Sequence, residues 1–188
     1  MSRARTPKQL ELLTDQLLAT NERNEQLIEG LLVLSESDRG LASRASQQLD
    51  EIASVVIDTH RDMASQAGVT IRSELAPRTV AGERVLLERL VSNLLRNAIA
   101  YNVDGGEVVV LVGMQPTMVV ENTGAAIAAD AVEGLFEPFR RGSADRTHHG
   151  GGAGLGLTIV RSICRAHDGT VIARPGAHGG LRVEINLP

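Results

Sequence analysis

Aromatic residues are scarce in this 188-residue chain, which has no Trp, one Tyr and two Phe. Hydrophobic residues still make up 43% of the sequence, so a core has to be built from aliphatic side chains. The single cysteine, Cys164, excludes a disulfide within the chain and fits a reducing compartment. These shortages predict one aliphatic core of ordinary size together with a short accessory element.

Strong charge of one sign and long apolar runs are also lacking. The net charge is −4 with no basic tail, which argues against nucleic-acid binding through electrostatics. No apolar run approaches the roughly 18–20 residues that span a bilayer. The first residues contain no apolar stretch of the signal-peptide type. We therefore expect a soluble, cytoplasmic protein without a direct membrane span.

Residues 8–38 have the pattern of a long amphipathic helix, with one Gly and no Pro. Spacings of three and four alternate along a heptad seam, formed by Leu10, Leu13, Leu17, Thr20, Asn24, Leu27, Leu31 and Leu34. Neighbouring apolar residues widen this stripe, which is typical of a helix in a four-helix bundle. We predict an interaction helix within residues 1–39 that needs partner helices. The alternative is a helix that lies on its own domain.

Residues 40–188 mix helical and strand patterns. Helices are predicted at 49–67, 83–101 and 154–167, and strands at 69–75, between Pro77 and Gly82, and at 107–112, 117–121, 170–173 and 181–187. The core side of the second helix is assigned to Val85, Leu86, Leu90, Leu94 and Ile99. Antiparallel hairpins among helices predict an α+β two-layer sandwich.

A glycine cluster precedes the last predicted helix and runs from Gly150 to Gly156. Glycines let a backbone approach a ligand closely, and the free N–H groups of a helix N-terminus suit a phosphate chain. The cluster comes too late in the chain for a dinucleotide fold, and no Lys-Ser/Thr pair follows it as in a P-loop. The sequence favours a phosphate-binding segment, and a plain surface loop is the alternative.

Asn93 and Asn97 are four residues apart and share one face of the second helix. Two amides on a helix that otherwise faces the core would be costly if they were buried without partners. An amide oxygen is a hard ligand that suits Mg²⁺, which takes few protein ligands together with water and phosphate oxygens. Solvent-exposed asparagines are the alternative interpretation.

Taken in order, these motifs resemble the histidine-kinase ATP-binding domain of the GHKL superfamily. Residues 93–102 resemble its N box, 122–127 its first glycine box, 135–141 its F box and 152–157 its second glycine box. The resemblance covers residues 40–188. It implies the Bergerat sandwich, a mixed sheet with helices on one face and a lid over ATP.

The same resemblance implies binding roles. Asn97 would coordinate Mg²⁺, and Asn93 would lie beside the ATP phosphates. Asn122 takes the place of the usual Asp that accepts a hydrogen bond from the adenine amino group, without the charge assistance of a carboxylate, at a cost of about 1 kcal/mol. The other implied nucleotide-binding positions are Tyr101, Gly124, Phe136, Phe139, Arg141, Gly152, Gly154, Leu155, Gly156 and Leu157.

Besides Asn122, three further positions depart from the family pattern. Ala100 stands where the family often has a basic residue near the phosphates, and Ala125 and Ala126 replace the commoner Pro-Gly. Residues 18–34 further resemble the second dimerisation helix of actinobacterial sensor kinases. This implies a homo- or hetero-oligomer formed through residues 8–38.

Histidine kinases phosphorylate a helix-borne histidine in a pattern close to His-Glu-Leu-Arg-Thr-Pro. None of the five histidines stands in that pattern, namely His60, His148, His149, His167 and His178. Arg5-Thr6-Pro7 matches its tail, with Ser2 in place of the histidine. We expect the catalytic part of a split or truncated kinase that phosphorylates a histidine on another chain, with a response regulator downstream.

Two other functions stay open. A GHKL ATPase or an anti-sigma-type serine kinase typically has a Glu general base four residues before the metal-binding Asn. Asn93 stands at that position and cannot take a proton at neutral pH, which disfavours this class. A nucleotide-binding regulatory module without chemistry is the second alternative, which the departures at Asn122 and Ala100 favour.

Overall fold

The computed structural model describes Thr14, Leu41, residues 44–139 and residues 154–188. The predicted interaction helix at 8–38 lies outside the described residues apart from Thr14, so its structure stays a prediction. The described elements are strands β1 (Ala45–Gln48), β2 (Thr70–Leu75), β3 (Thr79–Gly82), β4 (Glu107–Val112), β5 (Met118–Asn122), β6 (Thr170–Pro175) and β7 (Leu181–Asn186), and helices α1 (Leu49–Gln66), α2 (Arg84–Ala100), α3 (Ala129–Val132) and α4 (Gly156–Ala166), with a 3₁₀ helix at Glu133–Phe136.

Five strands form a mixed sheet in the order β2-β4-β5-β7-β6. β2 and β4 run parallel, and all other neighbours in this sheet are antiparallel. β1 and β3 form a separate antiparallel pair at the start of the domain. The prediction of an α+β sandwich with a mixed sheet is confirmed.

Helices cover one face of the sheet, where α1 packs on β2, α2 on β5 and α4 on β6. In β4 the residues Val108, Val110 and Val112 are buried in this layer, while their neighbours are half-buried. The other face carries ion pairs of Arg182 with Glu121 and Glu184. The side chains that face the helices thus form an aliphatic core, and charged residues of β5 and β7 lie on the other face of the sheet.

The predicted helices and strands occur within about three residues of their predicted ends. The assignment of Val85 to the core side of the second helix is wrong, because this residue is 58% exposed. At helical spacing Val85 falls in line with Arg89, Ser92 and Arg96, on the side away from the buried stripe. The buried stripe of α2 consists of Leu86, Leu87, Leu90, Val91, Leu94, Leu95, Ala98 and Ile99.

His167 joins the end of α4 to the start of α2. Its side chain is fully buried, with Nδ1 2.8 Å from the Ile163 carbonyl oxygen. The backbone N–H of Glu83, the N-cap residue of α2, donates to Nε2 at 3.3 Å. Both bonds form together only in a neutral ring whose proton is on Nδ1. The absence of a side chain at Gly82 leaves room for the imidazole, because a Cβ there would overlap it.

This contact predicts that acid destabilises the domain. Burial lowers the pKa of His167 below its ordinary value, so the unfolded chain binds more protons than the folded one near pH 6. The free energy of unfolding should therefore fall as the pH drops through about 6.5 towards the lowered pKa. Urea unfolding of the wild type and of His167→Gln at pH 8 and pH 5.5 measures this, and the variant should lose less stability between the two values.

His178→Gln is the matched control, because His178 is exposed in the β6–β7 connection. This variant should keep the acid sensitivity of the wild type. Equal losses of stability in the wild type and in His167→Gln would refute the assignment to His167.

Candidate nucleotide-binding site

Three segments that the sequence singled out meet on the helix side of the sheet. They are the second half of α2, the end of β5 with its following turn, and the start of α4. α2 packs against both α4 and β5. The structure thus brings together residues that are up to about 60 positions apart in the sequence.

Asn93 lies against the first residue of α4. Its Nδ2 donates to the Arg89 carbonyl oxygen at 2.9 Å, one helical turn earlier. Its Oδ1 is 3.7 Å from the position that a Cβ on Gly156 would occupy. Since Gly156 carries no side chain, the amide oxygen faces the open N-terminus of α4. Gly154, two residues earlier, has a φ of +72°, which favours glycine.

Asn97 follows Asn93 by one turn and is half-buried. Among the described residues its carboxamide makes no hydrogen bond, whereas the Asn93 carboxamide is tied to the helix backbone. The part of the chain that the structure describes holds no group of three or more His, Cys, Asp or Glu residues that could bind a metal ion. Asn93 and Asn97 each place an amide oxygen on this face of α2.

Asn122 ends β5 with a side chain that is only 6% exposed. Its Nδ2 donates to the Thr123 carbonyl oxygen at 2.6 Å. Gly124 leaves no room for a side chain, since a Cβ there would lie 2.7 Å from the Tyr101 carbonyl oxygen and 3.2 Å from Asn122 Nδ2. Tyr101, just after α2, is 40% exposed beside this turn. The positions Tyr101, Asn122 and Gly124 are thus brought together.

Asn102 and Thr123, which the sequence did not single out, connect α2 to β4 and β5. Thr123 Oγ1 donates to Asn102 Oδ1 at 2.6 Å and accepts from the Glu107 N–H at 2.8 Å. Asn102 Nδ2 donates to the carbonyl oxygens of Ala98 and Glu107, each at 3.1 Å. The only sequence signal for this network is a polar residue two positions after the end of the helix and another directly after Asn122.

The β6–β7 connection closes the site from the other side. Gly179 and Gly180 both have positive φ, and Gly180 N donates to the Ala125 carbonyl oxygen at 3.0 Å. A Cβ on Gly179 would overlap the Gly124 carbonyl, and one on Gly180 would overlap the Asn122 carbonyl. Because Gly179 and Gly180 have no side chains, their backbone contacts the turn after β5 directly and holds it in place.

The F-box residues are attached to α4. The Phe136 ring is buried, and its carbonyl oxygen accepts from Thr158 Oγ1 at 3.0 Å and from Arg161 Nη2 at 2.9 Å. The Arg161 guanidinium also lies over this ring, 5.6 Å from its centroid. Neither Thr158 nor Arg161 was predicted as a site residue.

Phe139 differs from Phe136, because its ring is 67% exposed and does not pack into the described core. Its φ of +62° is unusual for a non-glycine residue, and its N–H donates to the Gly154 carbonyl oxygen at 3.1 Å. This bond joins the ends of the two described segments. Arg141 and Gly152, which were predicted to bind nucleotide, lie outside the described residues.

Leu155 and Leu157 are buried in the aliphatic core. Any contact that they make with a nucleotide would therefore come from their backbone.

In the described residues no helix is long and apolar enough to cross a membrane.

Comparison with known proteins identifies this arrangement of a mixed sheet, glycine turns and paired asparagines. Residues 82–188 match the family described as histidine kinase-, DNA gyrase B-, and HSP90-like ATPase. The chain belongs to this ATPase family. The match covers α2, the turn after β5 and α4, which are the three segments of the candidate site.

Relatives within this ATPase family are sensor kinases. Sensor protein CutS of Streptomyces coelicolor is 45% identical over 186 residues, which are 97% of this chain and 45% of CutS. Sensor histidine kinase CusS of Escherichia coli K12 is 34% identical over 194 residues, which are all of this chain and 40% of CusS. The chain thus spans less than half the length of these curated relatives.

Among solved structures, the mycobacterial sensor histidine kinase MprB superposes with a TM-score of 0.69 at 26% identity. The match covers 77% of this chain and 97% of MprB. The Bergerat fold and the relation to sensor histidine kinases, including actinobacterial ones, are confirmed. The domain is the ATP-binding domain of this family, and the roles of single residues stay predictions.

Proposed function

We propose that these 188 residues form the Mg·ATP-binding catalytic part of a two-component histidine kinase. The reaction transfers the γ-phosphate of ATP to a histidine on another chain, since none of the five histidines here stands in an acceptor pattern. The observation that carries the proposal is the meeting of the Asn93 face of α2 with the glycine-rich start of α4.

The start of α4 suits the phosphates. The first N–H groups of an 11-residue helix have no partner within the helix, and the helix dipole places partial positive charge there. Gly154 and Gly156 allow the backbone to approach phosphate oxygens closely. Asn93, whose Oδ1 faces this helix end, then lies beside the phosphate chain.

Asn97 is the proposed Mg²⁺ ligand. Its amide is not committed to any described residue, and Mg²⁺ accepts a single protein oxygen when phosphates and waters complete its shell. The ion, when bound, neutralises charge that builds up on the β- and γ-phosphates during transfer. The amide oxygens fit this ion: Asn97 would hold one coordination position. The Asn93 Nδ2, which has a second N–H besides the one donated to Arg89, would donate to a phosphate oxygen.

The purine is proposed to bind at the other end of the site. Asn122 offers an amide at the floor of this end, Gly124 lets the turn after β5 pack closely against Tyr101 and Gly180, and Tyr101 stands at the rim. Phe136 and its neighbours Thr158 and Arg161 fix the backbone on the far side of the site. Phe139, Arg141 and Gly152 are proposed to complete the enclosure of ATP.

Hydrolysis of ATP by water is disfavoured as the main reaction. A general base would be needed where Asn93 stands, and its Nδ2 is occupied as a donor to the Arg89 carbonyl. A regulatory module that binds nucleotide without transfer is the remaining alternative, and absence of transfer in the assay below would favour it.

Partners follow from the kinase proposal. Residues 8–38 are proposed to pair with other helices in a homo- or hetero-oligomer, and a response regulator receives the phosphate from the histidine. Both the kinase part and its regulator act in the cytoplasm in this scheme.

Titration with an ATP analogue tests the proposal directly. Calorimetry in excess Mg²⁺ should give saturable 1:1 binding, and EDTA should weaken it, because the metal links Asn97 to the phosphates. Binding that is equally tight in EDTA would contradict the magnesium role. A lack of any binding would contradict the proposed function.

A further inference from the structure

Strand β2 forms one edge of the five-stranded sheet, and in the part of the chain that the structure describes it pairs only with β4. At either end of β2, the N–H groups of Thr70 and Ala76 donate to carbonyl oxygens on the β4 side, each at 3.0 Å. Because backbone groups alternate in direction along a strand, the N–H and C=O groups of Ile71, Ser73 and Leu75 point away from β4. Such a row of outward-facing backbone groups can accept another strand.

The sequence of β2 is self-complementary about Ser73. If a second copy of the strand pairs antiparallel with Ser73 opposite Ser73, Arg72 of each copy stands opposite Glu74 of the other. A displacement of two residues in either direction would place Arg72 opposite Arg72 or Glu74 opposite Glu74. Like charges directly opposite each other are unfavourable, so the charges of β2 select a single register.

The same register also pairs the outward-facing backbone groups. Ser73 opposite Ser73 and Ile71 opposite Leu75 become hydrogen-bonded pairs, and each pair exchanges two bonds. Arg72 and Glu74 fall in the non-hydrogen-bonded pairs, where opposite side chains come closest. Both side chains are exposed, and Glu74 forms no ion pair with any residue that the structure describes. Its carboxylate is therefore available to a second copy.

The two faces of the sheet agree with this pairing. Ile71 and Leu75 are half-buried and pack against the rim of the aliphatic core on the helix side. In the paired strands they would meet across the interface and lose further apolar surface to water. On the other face, Arg72 already pairs with Glu107 of its own chain, and its guanidinium would then lie between two carboxylates.

We infer that a second copy of this chain binds antiparallel to β2 in the register centred on Ser73 and joins the two five-stranded sheets into one. Opposite residues share one side of the joined sheet, so the helices of both copies lie on the same face. The inference is independent of the proposed function, because β2 contributes no residue to the candidate nucleotide site. Association of residues 8–38 would favour this contact by raising the effective concentration of one domain near the other.

Disulfide cross-linking of the full 188-residue chain tests the pairing. In a hydrogen-bonded antiparallel pair the Cα atoms are about 5.5 Å apart, within the roughly 4.4–6.8 Å that a disulfide spans. Ser73→Cys should therefore form a covalent dimer in oxidised glutathione, detected on a non-reducing gel, while the native Cys164 is buried. Thr170→Cys is the matched control, exposed on β6 at the opposite edge of the sheet, and should give no such dimer.

Charge reversal tests the register. Glu74→Arg in the Ser73→Cys chain should lower the cross-linked fraction at least about tenfold, because two favourable cross-strand pairs become two unfavourable ones. Arg72→Glu in the same chain should have a similar effect. A mixture of the two variants, one of them tagged to shift its mobility, should restore cross-linking between unlike chains, because each reversed charge then meets an opposite one.

The outcomes separate this inference from the proposed function. Equal cross-linking of Ser73→Cys and Thr170→Cys, or cross-linking that charge reversal leaves unchanged, would overturn the pairing. Glu74→Arg should bind an ATP analogue as tightly as the wild type, which shows that the substitution leaves the domain folded. If the wild type bound no nucleotide, the proposed function would fail, and cross-linking would still decide whether β2 pairs with a second copy.

Discussion

Asn97→Ala should weaken Mg·ATP binding by about 10- to 100-fold while changing the stability of the domain by less than about 0.5 kcal/mol. The affinity falls because the variant removes the proposed protein ligand of the metal that bridges the phosphates. The stability hardly changes because the Asn97 side chain is half-buried and bonds to no described residue. Calorimetry with an ATP analogue and thermal unfolding of the same samples measure both quantities.

Two controls make this result specific to the metal. Asn186→Ala, a similar truncation at the end of β7, should leave the affinity unchanged. In EDTA the wild type and Asn97→Ala should bind nucleotide with similar affinity, because the missing contact acts through Mg²⁺. Unchanged Mg·ATP affinity in Asn97→Ala would remove the metal assignment.

The aliphatic periodicity predicts most of the fold. In β4 a continuous apolar run indicates a buried strand, although only alternate residues, Val108, Val110 and Val112, are fully buried, and α2 repeats its buried residues at helical spacing. Gly68 follows the end of α1 with a φ of +67°, which favours glycine. These elements follow from local patterns, because each has one face in a common core.

β1 was not predicted, because Ala45–Gln48 has no apolar alternation. It becomes a strand through its pairing with β3, where Ala45 stands opposite Gly82. Likewise α3 and the following 3₁₀ helix lie in a stretch in which no period was recognised, and they place Val132 and Phe136 in the core. In both cases contacts with distant parts of the chain decide the local structure.

The sequence predicted the motifs of the candidate site, but it did not predict the hydrogen bonds that connect them. Asn93, Asn97, Asn122 and the glycines stand out because their residue types suit phosphate, metal and base. The Thr123–Asn102 bond joins residues that are 21 positions apart, and no spacing rule indicates it. The hydrogen bond from Asn122 Nδ2 to the Thr123 carbonyl oxygen likewise cannot be derived from residue type alone.

The proposed kinase activity predicts that the chain does not label itself from radioactive ATP. Addition of a helical protein with an acceptor histidine should give an acid-labile phosphate on that partner. The double variant Leu17→Glu/Leu31→Glu should reduce this transfer by about 100-fold or more, because charges in the predicted seam of residues 8–38 misplace the acceptor relative to the γ-phosphate. ATP binding should be unchanged, because the seam is separate in sequence from the residues proposed to bind nucleotide.

A matched control places the same charges away from the seam, as Ala19→Glu/Gln26→Glu, and should retain transfer. Loss of transfer in both double variants would show that added charge, and not the seam, is responsible. Acid-stable label on the isolated chain would indicate serine or threonine phosphorylation and contradict the histidine kinase proposal. ATP binding without label on any histidine-bearing helix would favour the regulatory module, since the nucleotide site would then be intact and the acceptor geometry absent.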